Sequence, residues 1–378
     1  MTQPLKGLRV LELARVLAGP WAGQTLADLG AEVVKVESPS GDETRGWGPP
    51  FHEDGSAAYF HSTNRGKKSI IADFRNNADL DLVKKLASKA DILIENFKVG
   101  GLKKYSLDYE SLNQVNPKLI YCSITGFGQN GPYCNRPGYD FIIQAMGGIM
   151  DLTGEKDGLP QKPGIAYADI FTGLYSVIAI MSGLRALGQT GKGTHIDMAL
   201  FDTQLGVLAN QASSYFSTGN IPKRMGNAHP VIVPYQVFEV KDGALVIACG
   251  NDTQFVRMCE AFNLKLHLQD EFKENHLRVK NRSTLLPKIE SCLKDLTKME
   301  VLDKLQKAGV PAGPINNVGE ALNDKQSLFR EMKKEHGKGF YLNNPIKFNN
   351  LDLANNPSAQ KLNADTKEIT EKSFWEDN

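Results

Sequence analysis

Asp169 stands in the run GIAYADIFTG, where a carboxylate follows a glycine-bearing loop and opens a long apolar segment of helical pattern. A carboxylate so placed has two uses. Asp is a preferred helix cap, which accounts for the position by itself, and a carboxylate is also a covalent nucleophile; spacing does not choose between them. Leu17-Ala18-Gly19-Pro20 follows the first apolar run and is either a plain turn or a helix start whose backbone N–H groups face an anion. Asn64-Arg65-Gly66-Lys67-Lys68-Ser69 sets three cations around a glycine. Alone it reads as a solvated loop, but Arg75, Lys98, Lys103, Lys104 and Arg136 also fall at ends of strand candidates, and a sheet would gather them along one rim suited to a ligand with several phosphates. No GxGxxG follows the first strand, and no GxxxxGK[ST] occurs. The histidines show no HExxH or His-x-His spacing, so no metal is expected. His229 in GNAHP faces a site or serves a turn, and Cys249 in IACGN is a core thiol or a nucleophile. Arg45, with Trp47 close by, gives a dicarboxylate a cationic partner and an apolar wall, or is a surface arginine.

These residues need elements to carry them. Apolar β-rich runs at 8–13, 32–37, 92–95, 119–124 and 194–199 alternate with helical patterns at 18–30, 79–87, 169–188 and 201–215, which predicts βαβ units and a parallel sheet. Near residue 218 the chain turns polar and Pro/Gly-bearing, as a linker does. YQVFEVKDGALVIACG then reads as two strands joined at Asp242-Gly243, followed by helices over 253–263 and 282–308. Residues 1–217 are thus read as the first part of a large domain, 218–325 as linker and small α+β domain, and 326–378 as a tail returning to the large domain, with Tyr341, Ile346 and Phe348 in a strand. A chain of 378 residues accommodates this division. Lys plus Arg, 44, against Asp plus Glu, 43, argues against a nucleic-acid partner. The five cysteines are odd in number and form no CxxC pair, which points to a reducing, cytoplasmic setting. The start MTQPLKGLRVLEL has no apolar leader, no run reaches the roughly 18 apolar residues of a span, and 170–184 is read as a buried helix, so no membrane is expected.

The chain resembles the class III CoA transferases, together with the α-methylacyl-CoA racemases, through GLRVLELARVLAGPWAGQTLADLGAEVVKVESPSGDETRGWGPP, NRGKKSI, DILIENF, YCSITGFGQNGP, RPGYD, ADIFTG and GPINN, in the family's order from residue 7 to about 320. The resemblance implies an α/β fold: a Rossmann-like large domain with a parallel sheet, built from both chain ends, plus a smaller α+β domain, in an interlocked homodimer. It implies no permanently bound cofactor, with coenzyme A and acyl-CoA entering as substrates beside a carboxylic acid. Carried over, Leu17, Ala18, Ala72, Asp73, Phe74, Arg75, Asn96, Phe97, Lys98, Lys104, Arg136, Pro137, Gly138 and Tyr139 are CoA contacts. Asp169 is the nucleophile, and Gly250 and Asn251 belong to a mobile loop over the site.

Departures from the family narrow the reading. Leu17, Ser38 and Asp140 replace a glutamine, an arginine and a glutamate of formyl-CoA transferase, which speaks against the formyl/oxalyl pair. Gly138-Tyr139-Asp140 stands where racemases have Gly-His-Asp, and tyrosine, with an ordinary pKa of about 10, is a poor base near neutrality. Transferase is therefore favoured over racemase and over a non-catalytic CoA-binding protein. YCSITGFGQNGP, GNAHPVIVPYQVF and GVPAGPINN most resemble the succinyl-CoA:glutarate type, with Arg45, Trp47 and Asp140 as substrate contacts.

Overall fold

The computed structural model describes residues 2–336, 339–356, 358–371 and 374–375. The chain divides into two compact units, one of residues 1–150, 162–220 and 329–378, the other of 151–161 and 221–328. The segment 151–161, which the sequence reading leaves in the large domain, clusters with the second unit.

In the first unit, six strands form one parallel sheet: β1 (Arg9–Glu12), β2 (Glu32–Glu37), β3 (Lys67–Ile71), β4 (Ile92–Glu95), β5 (Ile120–Thr125) and β6 (Thr194–Ala199). Their order is β3-β2-β1-β4-β5-β6, the order of dinucleotide-binding sheets, whose ligands sit beyond the carboxyl ends where the winding reverses. Here that point lies between β1 and β4. The helices are α1 (Ala18–Asp28), α2 (Ala58–Asn64), α3 (Asn77–Lys89), α4 (Tyr109–Val115), α5 (Asp140–Met146), α6 (Ile149–Leu152), α7 (Tyr167–Thr190), α8 (Leu200–Gly206) and α9 (Ala209–Thr218). The near-continuous apolar strands follow from burial on both faces. Val10, Ile92, Ile94, Ile120 and Cys122 pack toward α1 and α7, while Leu11, Val34, Leu93 and Tyr121 pack toward α3 and α4.

Helix α7 is not the buried helix the sequence suggests. By length and composition it passes the test for a membrane span, yet only 33% of its apolar window is buried. Leu174, Tyr175, Ile178 and Met181 are exposed. The buried side of the helix crosses α1 closely: a Cβ on Gly173 would lie 2.7 Å from the Ala18 carbonyl oxygen. The single helix expected over 201–215 is two, α8 and α9.

The second unit holds a three-stranded antiparallel sheet of β7 (Tyr235–Val240), β8 (Gly243–Ala248) and β9 (Ala312–Pro314). Val240 pairs with Gly243 across the Asp-Gly turn. Helices α10 (Asp252–Ala261), α11 (Asn275–Lys280), α12 (Arg282–Leu293) and α13 (Lys298–Lys307) accompany it. The expected long helix over 282–308 breaks because Thr297 and Glu300 form a capping box that starts α13 afresh. Arg278 is fully buried; its guanidinium donates to the carbonyls of Val233 and Phe272 and pairs with Asp252.

The tail adds a two-stranded ribbon, β10 (Lys333–His336) with β11 (Gly339–Leu342). Tyr341 lies in it, whereas Ile346 and Phe348 lie beyond it. Farther on, Asp365 and Asn363 accept the N–H groups of Ser69 and Ile71, so the tail covers the open edge of β3, the usual protection an edge strand needs. The C-terminal stretch expected to return to the large domain includes 337–338, 357, 372–373 and 376–378, which lie outside the described residues.

Candidate active site

Asp169 sits in the first turn of α7, but it does not cap that helix. The N-cap position is Ala166, with no side-chain hydrogen bond. The capping carboxylate is Asp140, whose Oδ1 accepts the N–H of Ala168 at 2.9 Å and of Asp169 at 3.3 Å, while Gln144 Nε2 donates to its Oδ2 at 2.6 Å. The Asp169 carboxyl accepts no hydrogen bond from the described residues. Burial, with the Asp140 carboxylate nearby, pushes its pKa up to about 7. The structure thus removes the capping alternative and leaves a desolvated carboxyl without a cation beside it.

Tyr59 on α2 belongs to the same cluster. Burial and the charges of Asp169 and Asp140 push its phenol up to about 12, so it keeps its proton at neutral pH. Trp47, partly exposed, meets Tyr59 edge-on at 5.2 Å between ring centroids. The sequence reading missed Tyr59, since nothing in AYFHSTN distinguishes it from a helix-packing aromatic.

The turn after β1 packs against α7 one helical turn beyond Asp169, at Gly173. Leu17 and Ala18 are buried. Leu17 is the N-cap of α1 and provides no side-chain cap, and the first turn of the helix holds no acidic residue, so this positive helix end is not neutralised from within. The turn is tied to the loop after β4. Asn96 accepts the Arg15 N–H through Oδ1 at 3.0 Å and donates through Nδ2 to the Arg15 carbonyl at 2.8 Å. Glu95 accepts the Phe97 N–H at 2.8 Å, and burial pushes that carboxyl up to about 7.

Residues far apart in sequence converge along the carboxyl end of the sheet. Ala72 ends the β3 segment, its N–H bonded to the Glu37 carbonyl. Phe74 stacks on Phe97 at 6.1 Å and meets Tyr105 edge-on at 5.4 Å, and the Lys104 ammonium lies over the Tyr105 ring. Lys98, Lys104 and Arg75 are exposed beside this platform. Asp73 is engaged by Arg75 in a bidentate pair. Arg136 stands over Tyr133, 4.4 Å from the ring centre, and Pro137, Gly138 and Tyr139 lead from it into Asp140. Below the loop that carries Lys98 is a cavity of about 250 Å³, lined by Glu95, Lys98, Tyr109, Ser123 and His195 among others.

Three groups of expected site residues are placed otherwise. Arg65 and Lys67 do not stand on a rim: Arg65 pairs with Asp28, and buried Lys67 donates to Glu12, the Pro20 carbonyl and Asn64. Arg45 is likewise withdrawn from substrate. Its guanidinium forms a bidentate pair with Glu37 at 2.8 and 2.7 Å, donates to the Gln360 carbonyl, and lies 3.7 Å over the Phe60 ring, leaving no donor edge for a dicarboxylate. In the second unit the Gly250 N–H is not an open donor either, because it bonds Gln254 Oε1 at 2.7 Å, while Asn251 caps α10 by accepting the Gln254 N–H. Cys249 is a buried core thiol pushed up to about 12, the inert alternative of the two. Among the described residues no group of His, Cys, Asp and Glu is arranged to hold a metal.

The model of CoA-transferase family III matches residues 5–366. The chain is 53% identical over 337 residues to a succinate–glutarate CoA-transferase of Agrobacterium fabrum, covering 87% of this chain and 84% of that protein. It is 39% identical to an acetyl-CoA:oxalate CoA-transferase of Acetobacter aceti, over 95% of this chain and 93% of that one. A solved structure of a CAIB/BAIF family protein from Brucella suis superposes with a TM-score of 0.88 at 56% identity, covering 98% of this chain and 99% of the other.

The chain belongs to CoA-transferase family III.

The protein is therefore a CoA transferase, and CoA thioesters are its substrates. For this transferase the convergence has a chemical sense. A partly desolvated carboxyl beside another carboxyl, as Asp169 is, is more basic than an ordinary aspartate. The aromatic platform and exposed cations have the types that a nucleotide with phosphates requires.

Proposed function

We propose that the transferase moves CoA from succinyl-CoA to a short dicarboxylate such as glutarate, through covalent intermediates on Asp169. The observation that carries the mechanism is the Asp169 carboxyl itself: half-buried, without a hydrogen bond from the described residues, and raised in pKa by desolvation and the charge of Asp140. The choice of acids rests on the relative at 53% identity; the relative that uses acetyl-CoA and oxalate shows that family membership alone does not fix them.

An Asp169 oxygen adds to the donor thioester carbonyl, and collapse of the tetrahedral adduct breaks the C–S bond, releasing CoA thiolate and leaving an aspartyl–acyl anhydride. The thiolate adds to the aspartyl carbonyl and expels the donor carboxylate, giving an aspartyl-CoA thioester. The acceptor carboxylate then adds to that carbonyl and expels the thiolate, and the thiolate attacks the acceptor carbonyl of the new anhydride. Acyl-CoA leaves and the Asp169 carboxylate returns, with no net proton exchanged. In this reading Phe74 and Phe97 take the adenine, Lys98, Lys104 and Arg136 take phosphates, and Trp47 and Tyr59 flank the acyl group. Hydroxylamine added during turnover should convert Asp169 to a hydroxamate, detected by peptide mass; substantial transfer by Asp169→Ala would overturn the covalent route.

The exposed apolar side of α7 supports a homodimer, with a second copy covering Leu174, Ile178 and Met181, and the family resemblance supports an interlocked one. Sedimentation at low micromolar concentration should give the dimer, and a well-folded monomer there would exclude interlocking. The five cysteines, all free, fit a cytoplasmic location.

A further inference from the structure

Val16 has φ +70°, in the left-handed region where a β-branched residue is a genuine outlier. It lies between Arg15, which Asn96 holds, and Leu17, which starts α1. Strain of this kind persists only where the surroundings over-determine it, so something must hold Val16. The group that does so is Asp42, whose carboxylate accepts the Val16 N–H at 3.3 and 3.2 Å.

Asp42 is fixed from several sides. It accepts the N–H and hydroxyl of Thr44 at 3.0 and 2.7 Å, its own N–H is held by Glu37 at 2.8 Å, and Lys35 Nζ lies 3.0 Å from Oδ2. Both charged side chains are buried. The Lys35 ammonium also donates to the Ala14 carbonyl at 2.7 Å and to Glu12 at 3.2 Å. Burial disfavours this ammonium, but Glu12, Asp42 and Glu37 outweigh it and hold its pKa above the ordinary lysine value. Asp42 thus receives its aim from a buried lysine that grips the same turn two residues earlier. It also caps the short 3₁₀ segment Glu43–Gly46, which leads directly into Trp47.

We infer that Asp42 is a positioning residue for acyl-CoA: it locks Val16 in the left-handed conformation and so fixes the Leu17–Ala18 turn against the substrate thioester. This rests on the reading that the turn faces acyl-CoA. Asp42 touches neither substrate nor Asp169; it acts through the backbone of Val16. The lock is specific to a carboxylate, which accepts stronger hydrogen bonds from N–H groups than a neutral amide does.

The test uses the full-length enzyme. Asp42→Ala should raise KM for acyl-CoA at least about tenfold and leave KM for the carboxylate acceptor within about twofold, while Asp42→Asn should raise it about threefold. Because glycine enters φ near +70° without a steric penalty, Val16→Gly placed on either Asp42 variant should recover most of the lost acyl-CoA affinity. A residue that only stabilised the fold would lower Tm without this split and without this rescue. If Asp42→Ala does not fold, the Asp42→Asn pair gives the same comparison. An Asp42→Asn enzyme with unchanged KM for acyl-CoA, or a defect that Val16→Gly does not relieve, overturns the inference. Hydrogen exchange of the 13–20 backbone in the unmodified enzyme separates the underlying reading: CoA should slow it, and exchange indifferent to CoA would show that the turn does not face the substrate.

Discussion

Two clusters of ionisable groups in the first unit are built on opposite plans. Beneath α1, Glu12, Lys35, Asp42 and Lys67 form an alternating chain in which each charge has an opposite neighbour: Lys35 with Glu12 and Asp42, Lys67 with Glu12. The fit is close enough that a Cβ on Gly23 would fall 1.8 Å from Glu12 Oε2. At the start of α7, Asp169 and Asp140 bring two carboxyls together with no cation between them. Paired buried charges hold a shape, because removing either partner strands the other in a low dielectric. A carboxyl facing a like charge, as Asp169 faces Asp140, has its proton affinity raised. The contrast is one of charge arrangement: the first cluster is buried and paired, the second half-buried and unpaired.

The largest effect should come from neutralising the unpaired place. Asp169→Asn should lower transfer by on the order of 10³-fold or more, since it removes the nucleophile, yet it should stabilise the fold. The sign follows from the raised pKa: between about pH 4 and 7 the native carboxyl keeps a proton that the unfolded one has lost, so the cost of burying the charge grows as pH rises through the folded pKa and is fully present above about 7. The asparagine variant should therefore gain roughly 2–4 kcal/mol above pH 7 and nothing below about pH 4, read by denaturant melts at fixed protein concentration. In the unaltered enzyme, kcat/KM for acyl-CoA should rise about tenfold per pH unit below 7 as Asp169 ionises. A stability loss on Asp169→Asn at pH 8 would show that the two places do not differ as described.

Breaking the paired chain should have the opposite outcome. Lys67→Met leaves Glu12 short of one buried partner and should cost roughly 3–5 kcal/mol, while the fraction that folds keeps its KM for the acceptor acid. A near-neutral substitution would mean that water or rearrangement already satisfies Glu12. Arg45→Ala should be milder, about 1–3 kcal/mol, through the stranded Glu37. It should leave the preference for dicarboxylates over monocarboxylates of equal length unchanged, measured by competing acceptors against one acyl-CoA. A selective loss of dicarboxylates would return Arg45 to the substrate.

The parts of the site that were legible in the sequence are those with a local signature. Asp169 at the head of an apolar helical run, the βα turn at 17–18 and the Asp242-Gly243 hairpin each announce themselves within a few residues, because helix starts and tight turns are set by neighbouring side chains. Motif resemblance added the CoA-contact segments, and Phe74, Phe97 and Lys104 do converge. What had no signature was the role of each cation. Arg45, Arg65 and Lys67 look the same as Lys98 and Arg136 in a string of letters, yet three are locked to Glu37, Asp28 and Glu12 and two are exposed.

The alternation of apolar strands and amphipathic helices by itself determined the parallel α/β sheet, since period and length are local properties of the chain and burial on both faces leaves that pattern no other architecture of this kind. Only the tertiary structure decided which carboxylate caps α7: Asp140 and not Asp169. Asp140 reaches Ala168 across 28 residues of sequence, and Lys67 reaches Glu12 across 55. A charge acquires its surroundings from the partner that folding places within about 3 Å of it, and Coulomb interaction in a buried setting is strong enough to give chemically identical side chains a paired role in one place and a raised proton affinity in another.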